Sequence, residues 1–581
     1  MSVHAQDVSK PPVLIGVQRD AGKLRHPDEP IPFPREDQKW TRVRTGRFDV
    51  ISSASEARTI EIAHDLEALA SALTNTNTRF QSGTRPVIFV FARRRESQPY
   101  FDLIMGTGSR ASGLYVHHGK GGTMFLDATR GRLERTALHE LVHDLLRQGE
   151  TVPPLWLEEG LAEYFGNVSI NRRELIAGEP IAAHISLLLR TPTRSLSTLF
   201  ATKAESPAAS SSHFYARSWA AVDWLMRQDA KAFYRFLAAL EEGASVDQAL
   251  RAQYGKTIDD LRRGTEVFER HPSLVHLKRH SGTPPAVVSA VTRPELIFEL
   301  GRFLTRVGGA EKEATRYFEE ALRLDPKHAP SLAALGRFEE AIAADPNDAA
   351  VHLTYAEWLL GNALGDFAGI FQAGVEHEES FRKARELAFH ALSLGTDEAR
   401  ARGVIGVSHL VEEDLASGIA ELERAHALAP ARADYAIHLY AMYLLRGERS
   451  KADVVYKDLV ERARDPQVGF AARNVRLRIE TDRANALAKA GDLEAAAAII
   501  REISASVEDG PARTELERHA DQLTALGVVN RHIAMYNRAV GLSNKGRTRE
   551  AAAVLDELLA VATDPGVVKD AKSLRKSLKA R

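Results

Sequence analysis

In the stretch "EATRYFEEALRLDP", Ala314, Phe318, Ala321 and Pro326 follow one another at helical intervals, and parts of that spacing return through the rest of the chain. Small residues one turn apart let a helix press closely on its neighbour, and a proline a few residues later stops it. Phe338, Ala341 and Pro346 repeat the latter half, as do Ala384, Ala388 and Ala391; Leu422, Ala425 and Pro430; and Tyr456, Leu459 and Pro466. One such helix pair cannot bury its own apolar face, so the units must stack. The register is imperfect. Pro326 and Pro346 are 20 apart where a full repeat needs about 34, and "LGDFAGIFQAGVEHEES" reads as an insertion.

On this spacing, residues 291–581 resemble tetratricopeptide repeat (TPR) proteins. The resemblance implies an all-α TPR-type solenoid that engages a protein partner. Repeat stability comes from neighbouring helices, so this half is expected to fold apart from the remainder.

The N-terminal half has a different texture. Residues 1–40 are polar and proline-rich ("HPDEPIPFPRED") and read as an arm. "ASEARTIEIAHDLEALASALTN" has helical periodicity, "PVIFVFA" reads as a buried strand, and "SGLYVHHGKGGTMFLDA" as two strands joined by a glycine turn. From about 170 to 270 the pattern is helical. The proline-containing stretch 271–290 reads as a linker, leaving an α+β domain over 41–270.

Composition narrows the chemistry. The 77 basic and 78 acidic residues nearly cancel, so no global pull toward nucleic acid is expected. No run of about 18 apolar residues occurs, so no transmembrane segment is expected. "VHA" before Gln6 has the small-x-small form of a signal-peptidase site without the apolar run that precedes one. A periplasmic or secreted protein, its signal missing from this chain, fits that pattern, as does a cytoplasmic one. With no cysteine, His, Asp and Glu remain as the strong metal ligands.

They occur together in "TALHELVHDLLRQG". On a helix His139 and His143 share a face, with Glu140 beside them. Two imidazoles so placed can hold Zn2+, and the carboxylate between them can act as general base on a water the ion activates. Catalytic zinc wants a third protein ligand. Downstream stands "VPPLWLEEGLAEYFG", whose prolines precede a helix beginning near Leu155.

HELVH followed by this segment resembles the gluzincin metallopeptidases, most closely the small peptidase-MA-like domains. That resemblance implies a zincin-like fold, Glu159 as third ligand, and Glu163 as the acid that accepts a hydrogen bond from a ligand histidine. Gly160 would admit close approach to the HELVH helix. Glu158, about 100° round from Glu159, is expected to face solvent. Tyr215 is a candidate oxyanion donor, although Tyr215, Trp219 and Val222 also form an ordinary core stripe. His117 and His118 are not expected to be ligands, and "TMFLDA" is the expected substrate-binding edge strand.

The favoured expectation is a zinc-dependent endopeptidase acting on a peptide or protein substrate, with a TPR region that recruits substrate or partner. The alternative is a non-catalytic TPR scaffold whose HExxH domain binds zinc structurally or serves as a docking module.

Overall fold

Val87 to Phe91 carry only β-branched and aromatic side chains, and the first unit is built around the strand they form. The computed structural model describes residues 30–579 except 77–79, 81–84, 107, 109–112, 119–120, 129–134, 148–152, 172, 192–194, 204–205, 268–273, 280–285, 365–376, 411–413, 431, 462–465 and 507–509. The chain forms two units: Met1–Leu359 with Lys383–Ile405 and Glu423–Ala433, and Leu360–Arg382 with Gly406–Leu422 and Asp434–Arg581. The suggested signal-peptidase site lies outside the described residues.

The first unit opens with β1 (Trp40–Arg44), β2 (Asp49–Ser52), α1 (Glu56–Thr76), β3 (Val87–Phe91), α2 (Arg94–Met105), β4 (Gly113–His118) and β5 (Gly121–Asp127). Then come α3 (Arg135–Arg147), α4 (Leu155–Gly166), β6 (Ser169–Ile170), β7 (Glu174–Ala177), α5 (Ala182–Arg190), α6 (Ser197–Ala201) and α7 (Ser212–Gln228). Next are α8 (Ala230–Glu241), α9 (Val246–Tyr254), α10 (Ile258–Gly264), β8 (Val275–Lys278), β9 (Val287–Val291), α11 (Arg293–Leu304) and α12 (Glu311–Leu324).

Six strands make one sheet in the order β4-β5-β3-β2-β1-β9, with β2, β3 and β5 parallel and the other pairs antiparallel. Alternation along the strands serves two cores. Val50, Ile88, Val90, Met124 and Leu126 face α1, α3 and α4. Ile51, Phe89, Phe91 and Phe125 face the other way, onto Tyr100 and Phe101 of α2 and onto Leu296, Leu300 and Phe303 of α11. Burial on both faces is why β3 reads as an unbroken apolar run.

Three expectations change here. The segment 271–290 is not a plain linker: β8 completes a three-stranded sheet with β6 and β7, and β9 pairs with β1 from Trp40↔Val291 to Arg44↔Val287. The helical half does not begin apart from the sheet. Helices α11 and α12 form its rear wall, and the buried Arg42 of β1 holds Asp49, Glu295 and Glu299, the last at 2.6 Å, tying α11 to the strands. Lastly, β5 carries "TMFLDA" in the interior of the sheet. The edge strand next to β5 is β4, whose His117 and His118 pair with Gly122 and Gly121, their side chains being outside the described residues.

Of the arm, residues 30–39 are described, without helix or strand, and they dock on α12. Ile31 is buried, Arg316 stacks on Phe33 at 4.1 Å, and the Tyr317 hydroxyl donates to the Pro32 carbonyl at 3.3 Å.

Helix α12 carries the first repeat spacing. Ala314, Phe318 and Ala321 are buried, and a Cβ on Gly301 of α11 would stand 2.7 Å from the Phe318 ring, so glycine lets the pair close. Further helices follow from α13 (Ala329–Ala334) and α14 (Phe338–Ala344) through α15 (Ala349–Leu364), α16 (Glu378–Ser393), α17 (Glu398–Ser408), α18 (Leu415–Leu428) and α19 (Ala433–Arg446). Over residues 434–581 the second unit is helical, with α20 (Arg449–Glu461), α21 (Pro466–Lys489), α22 (Leu493–Ser506), α23 (Pro511–Asn544), α24 (Thr548–Val561) and α25 (Pro565–Lys579). Ala484, Ala496, Ile500 and Ala520 bury between α21, α22 and α23, and Ala539, Leu555 and Ala571 between α23, α24 and α25. This is the succession of a helical solenoid. No helix among the described residues is long and apolar enough to cross a membrane.

Candidate metal centre

Helix α3 is buried nearly all round, from Thr136 to Leu146. Leu138, Leu141, Val142 and Leu145 belong to the core that the sheet shares with α1 and α4. His139 and His143 therefore sit inside the protein, 1% and 2% exposed. Polar groups in such a place need partners.

Pro153 and Pro154 lead into α4, and the Leu157 amide bonds the Pro154 carbonyl at 2.8 Å as the helix starts. Helix α4 is wedged between α3 and α7. Two glycines permit this, and the role of Gly160 differs from expectation. A Cβ on Gly160 would fall 2.5 Å from the Ser218 carbonyl, so Gly160 fits α4 to α7. Gly166 is the residue that lies on α3: its Cβ would stand 2.9 Å from the Cα of His139.

This wedging brings three donor atoms together. His139 Nε2 and His143 Nε2 are 3.1 Å apart, and Glu159 Oε2 lies 3.6 Å from the first and 3.3 Å from the second. Donors about 2.0–2.1 Å from a tetrahedral ion are separated from one another by about 3.3 Å. The triangle thus matches three corners of a zinc tetrahedron. Glu159 Oε2 is buried without a hydrogen-bond donor, an atom oriented for a cation.

The charge balance points the same way. Glu140, Glu158 and Glu163 are buried, Glu159 is nearly so, and Arg135 pairs with Glu163. Buried carboxylates are costly unless positive charge is supplied beside them. Burial alone would raise the Glu159 carboxyl, but His143 and His139 outweigh it and hold it well below the usual range. Burial pushes His139 down. Burial also opposes a proton on His143, but Glu159 and Glu158 overcome it and raise that ring.

Behind each ligand stands a carboxylate. Glu163 Oε1 is 3.4 Å from His139 Nδ1, close to that ring nitrogen without a hydrogen bond to it. Glu158 corrects the expectation of a solvent-facing residue: it is 5% exposed and accepts from His143 Nδ1 at 3.0 Å. The reason is the wedge, since a helix covered by α3 on one side and α7 on another has little free circumference. A carboxylate hydrogen-bonded to the outer ring nitrogen, as Glu158 is to that of His143, favours the tautomer that leaves Nε2 free.

Tyr215, on α7, lies in the core stripe that its spacing suggests. It is buried with Trp219 and Val222, and its ring centroid lies 6.4 Å from that of His139. Burial first, then Glu159 and Glu140, push its hydroxyl far up, so it stays a proton donor. Sequence reasoning missed Arg135 and His184, both of which contact Glu163, and Gly166. Arg135 stands four residues before His139, a spacing that carries a signal; His184 belongs to no motif.

No protein-family model and no curated protein matches the chain. Among solved structures, the TPR domain of P58(IPK) matches over 50% of this chain and 100% of that one, at 15% identity and a TM-score of 0.17. Human IFIT1, as a dimer with PPP-AAAA, matches over 63% and 90%, at 15% and 0.21. Yeast Tom70 matches over 49% and 96%, at 11% and 0.13. These are what the chain is similar to, and neither fold nor activity is taken from them.

Proposed function

We propose that the chain joins a TPR-type protein-interaction scaffold to a zinc-dependent peptide hydrolase. The scaffold is the coarser and better supported half, resting on successive helix pairs with small residues at their contacts. The hydrolase half rests on one observation, the triangle of His139 Nε2, His143 Nε2 and Glu159 Oε2.

Zinc bound there would polarise a scissile carbonyl and acidify a water. His139, His143 and Glu159 would hold the ion, with Glu163 and Glu158 keeping the two rings in the ligating tautomer. Glu140, between the ligands in sequence and buried beside them, would take a proton from the attacking water and pass it to the leaving amine. The Tyr215 hydroxyl would donate to the oxygen on which charge develops. A peptide substrate would add alongside the free edge of β4.

A second reading, a non-catalytic scaffold whose ion is structural, is favoured by the burial of the ligands, since Glu159 is the most exposed with a side chain 12% accessible. Metal analysis of the purified protein with a proteome-derived peptide-library digest separates the two. One zinc per chain with cleavage supports the hydrolase. One zinc without cleavage supports the scaffold, and no zinc rejects both metal readings.

A further inference from the structure

Glu163 has two oxygens, and they face different ways. Oε1 is turned to His139 Nδ1 at 3.4 Å, while Oε2 lies 2.8 Å from His184 Nε2 and pairs with Arg135. His184 comes from α5, outside both sequence motifs, and its ring lies 5.7 Å from that of Trp219 on α7. Arg135 is one helical turn before His139, and its guanidinium is 3.2 Å from His184 Nε2. A glutamate has three side-chain torsions and loses rotamer freedom only where something holds it. Here a ring braced by a core tryptophan and a guanidinium anchored on the ligand helix hold one oxygen, which leaves the other directed at the histidine.

The geometry points to His184 and Arg135 as positioning residues for the metal centre: they fix the Glu163 carboxylate against His139 and so set how tightly the centre retains its ion. This rests on the metal reading above. The bland alternative is that His184 is a core histidine whose only task is packing on Trp219. The two differ in what a phenylalanine there would do. It would fill the space and keep the packing while removing the N–H.

The test is the zinc affinity of the full-length protein, measured by competition with a chromophoric chelator, alongside urea unfolding of the metal-stripped protein. His184→Phe is expected to weaken zinc binding by about 10- to 100-fold, as losses behind a ligand do. His184→Gln, whose amide N–H can reach the same oxygen, should stay within about threefold of wild type. In a Glu163→Ala background His184→Phe should cost nothing further, because the two act through one contact. Cobalt-substituted His184→Phe should show an altered visible absorption band, reporting a changed ligand field.

Wild-type affinity in His184→Phe, or an equal loss with and without Glu163, overturns the inference while leaving the metal centre standing. Wild-type protein that binds no zinc removes both. Should metal-stripped His184→Phe fail to fold, Arg135→Gln serves instead, since the Arg135 side chain is 26% exposed. A weakened zinc affinity there supports the inference, and an unchanged one overturns it.

Discussion

At the scale of single residues, the proposed function assigns separate tasks to the donor triangle, which would hold an ion, and to Glu140, which would use it. Glu140→Gln keeps shape and hydrogen bonding but removes the base. Zinc content should stay near one per chain while peptide hydrolysis falls by about 10²- to 10⁴-fold; unchanged cleavage would rule Glu140 out as the base. Glu158→Ala should weaken zinc by about 10- to 100-fold, a loss that a solvent-facing glutamate would not produce, and chelator competition reads it directly. His184 makes a prediction about pH. Burial first, then Arg135, lower its pKa from 6.5 to about 3 in the fold, where it faces Arg135 and Glu163. Between those values the unfolded chain binds the proton and the folded one does not, so stability must fall as pH drops from about 6.5 toward 3. Urea unfolding of metal-stripped protein across that window should show a shallower fall in His184→Phe than in wild type.

Helices decide what the residues can do, and here the sequence was legible in part. The i, i+4 histidines, the prolines before Leu155 and the apolar run of β3 each carried a local signal, and the elements formed where those signals stood. What lay hidden was set by third parties. Glu158 reads as exposed on an isolated helix and is buried because α7 covers α4. Gly160 and Gly166 are alike in sequence, but one admits the Ser218 carbonyl and the other the backbone of His139. His184 reaches Glu163 through a fold that no spacing encodes. The two glycines can be told apart by experiment. Gly160→Ala forces a methyl against backbone and should destabilise the protein by about 1–3 kcal/mol, the range for overpacked cores. Gly166→Ala presses on the ligand helix itself, so it should lower zinc affinity out of proportion to its effect on urea unfolding of the metal-stripped protein.

Across the whole molecule, the division expected between a domain over 41–270 and repeats over 291–581 does not follow the sheet. A fragment beginning at residue 291 would lose β9 and bare Leu296, Ile297, Leu300, Phe303 and Leu304 of α11, all buried in the intact chain. At about 1.5–3 kcal/mol for each such side chain, the loss rivals the 5–15 kcal/mol that holds a typical domain together. The fragment 291–581 is therefore expected to aggregate or to leave its first helices unfolded, against the expectation that it folds apart. Sedimentation and calorimetry of the fragment would check this, and a soluble species with one full unfolding transition would contradict it. The rear wall also orders events in time. Phe89, Phe91 and Phe125 are synthesised well before the α11 and α12 residues that cover them. At roughly 5–20 residues per second, a ribosome needs about 10–40 s to travel from Asp127 to Ala321. For that interval only α2 covers the aromatic face of the nascent sheet, so the growing chain presents adhesive surface to its surroundings until the first repeat emerges.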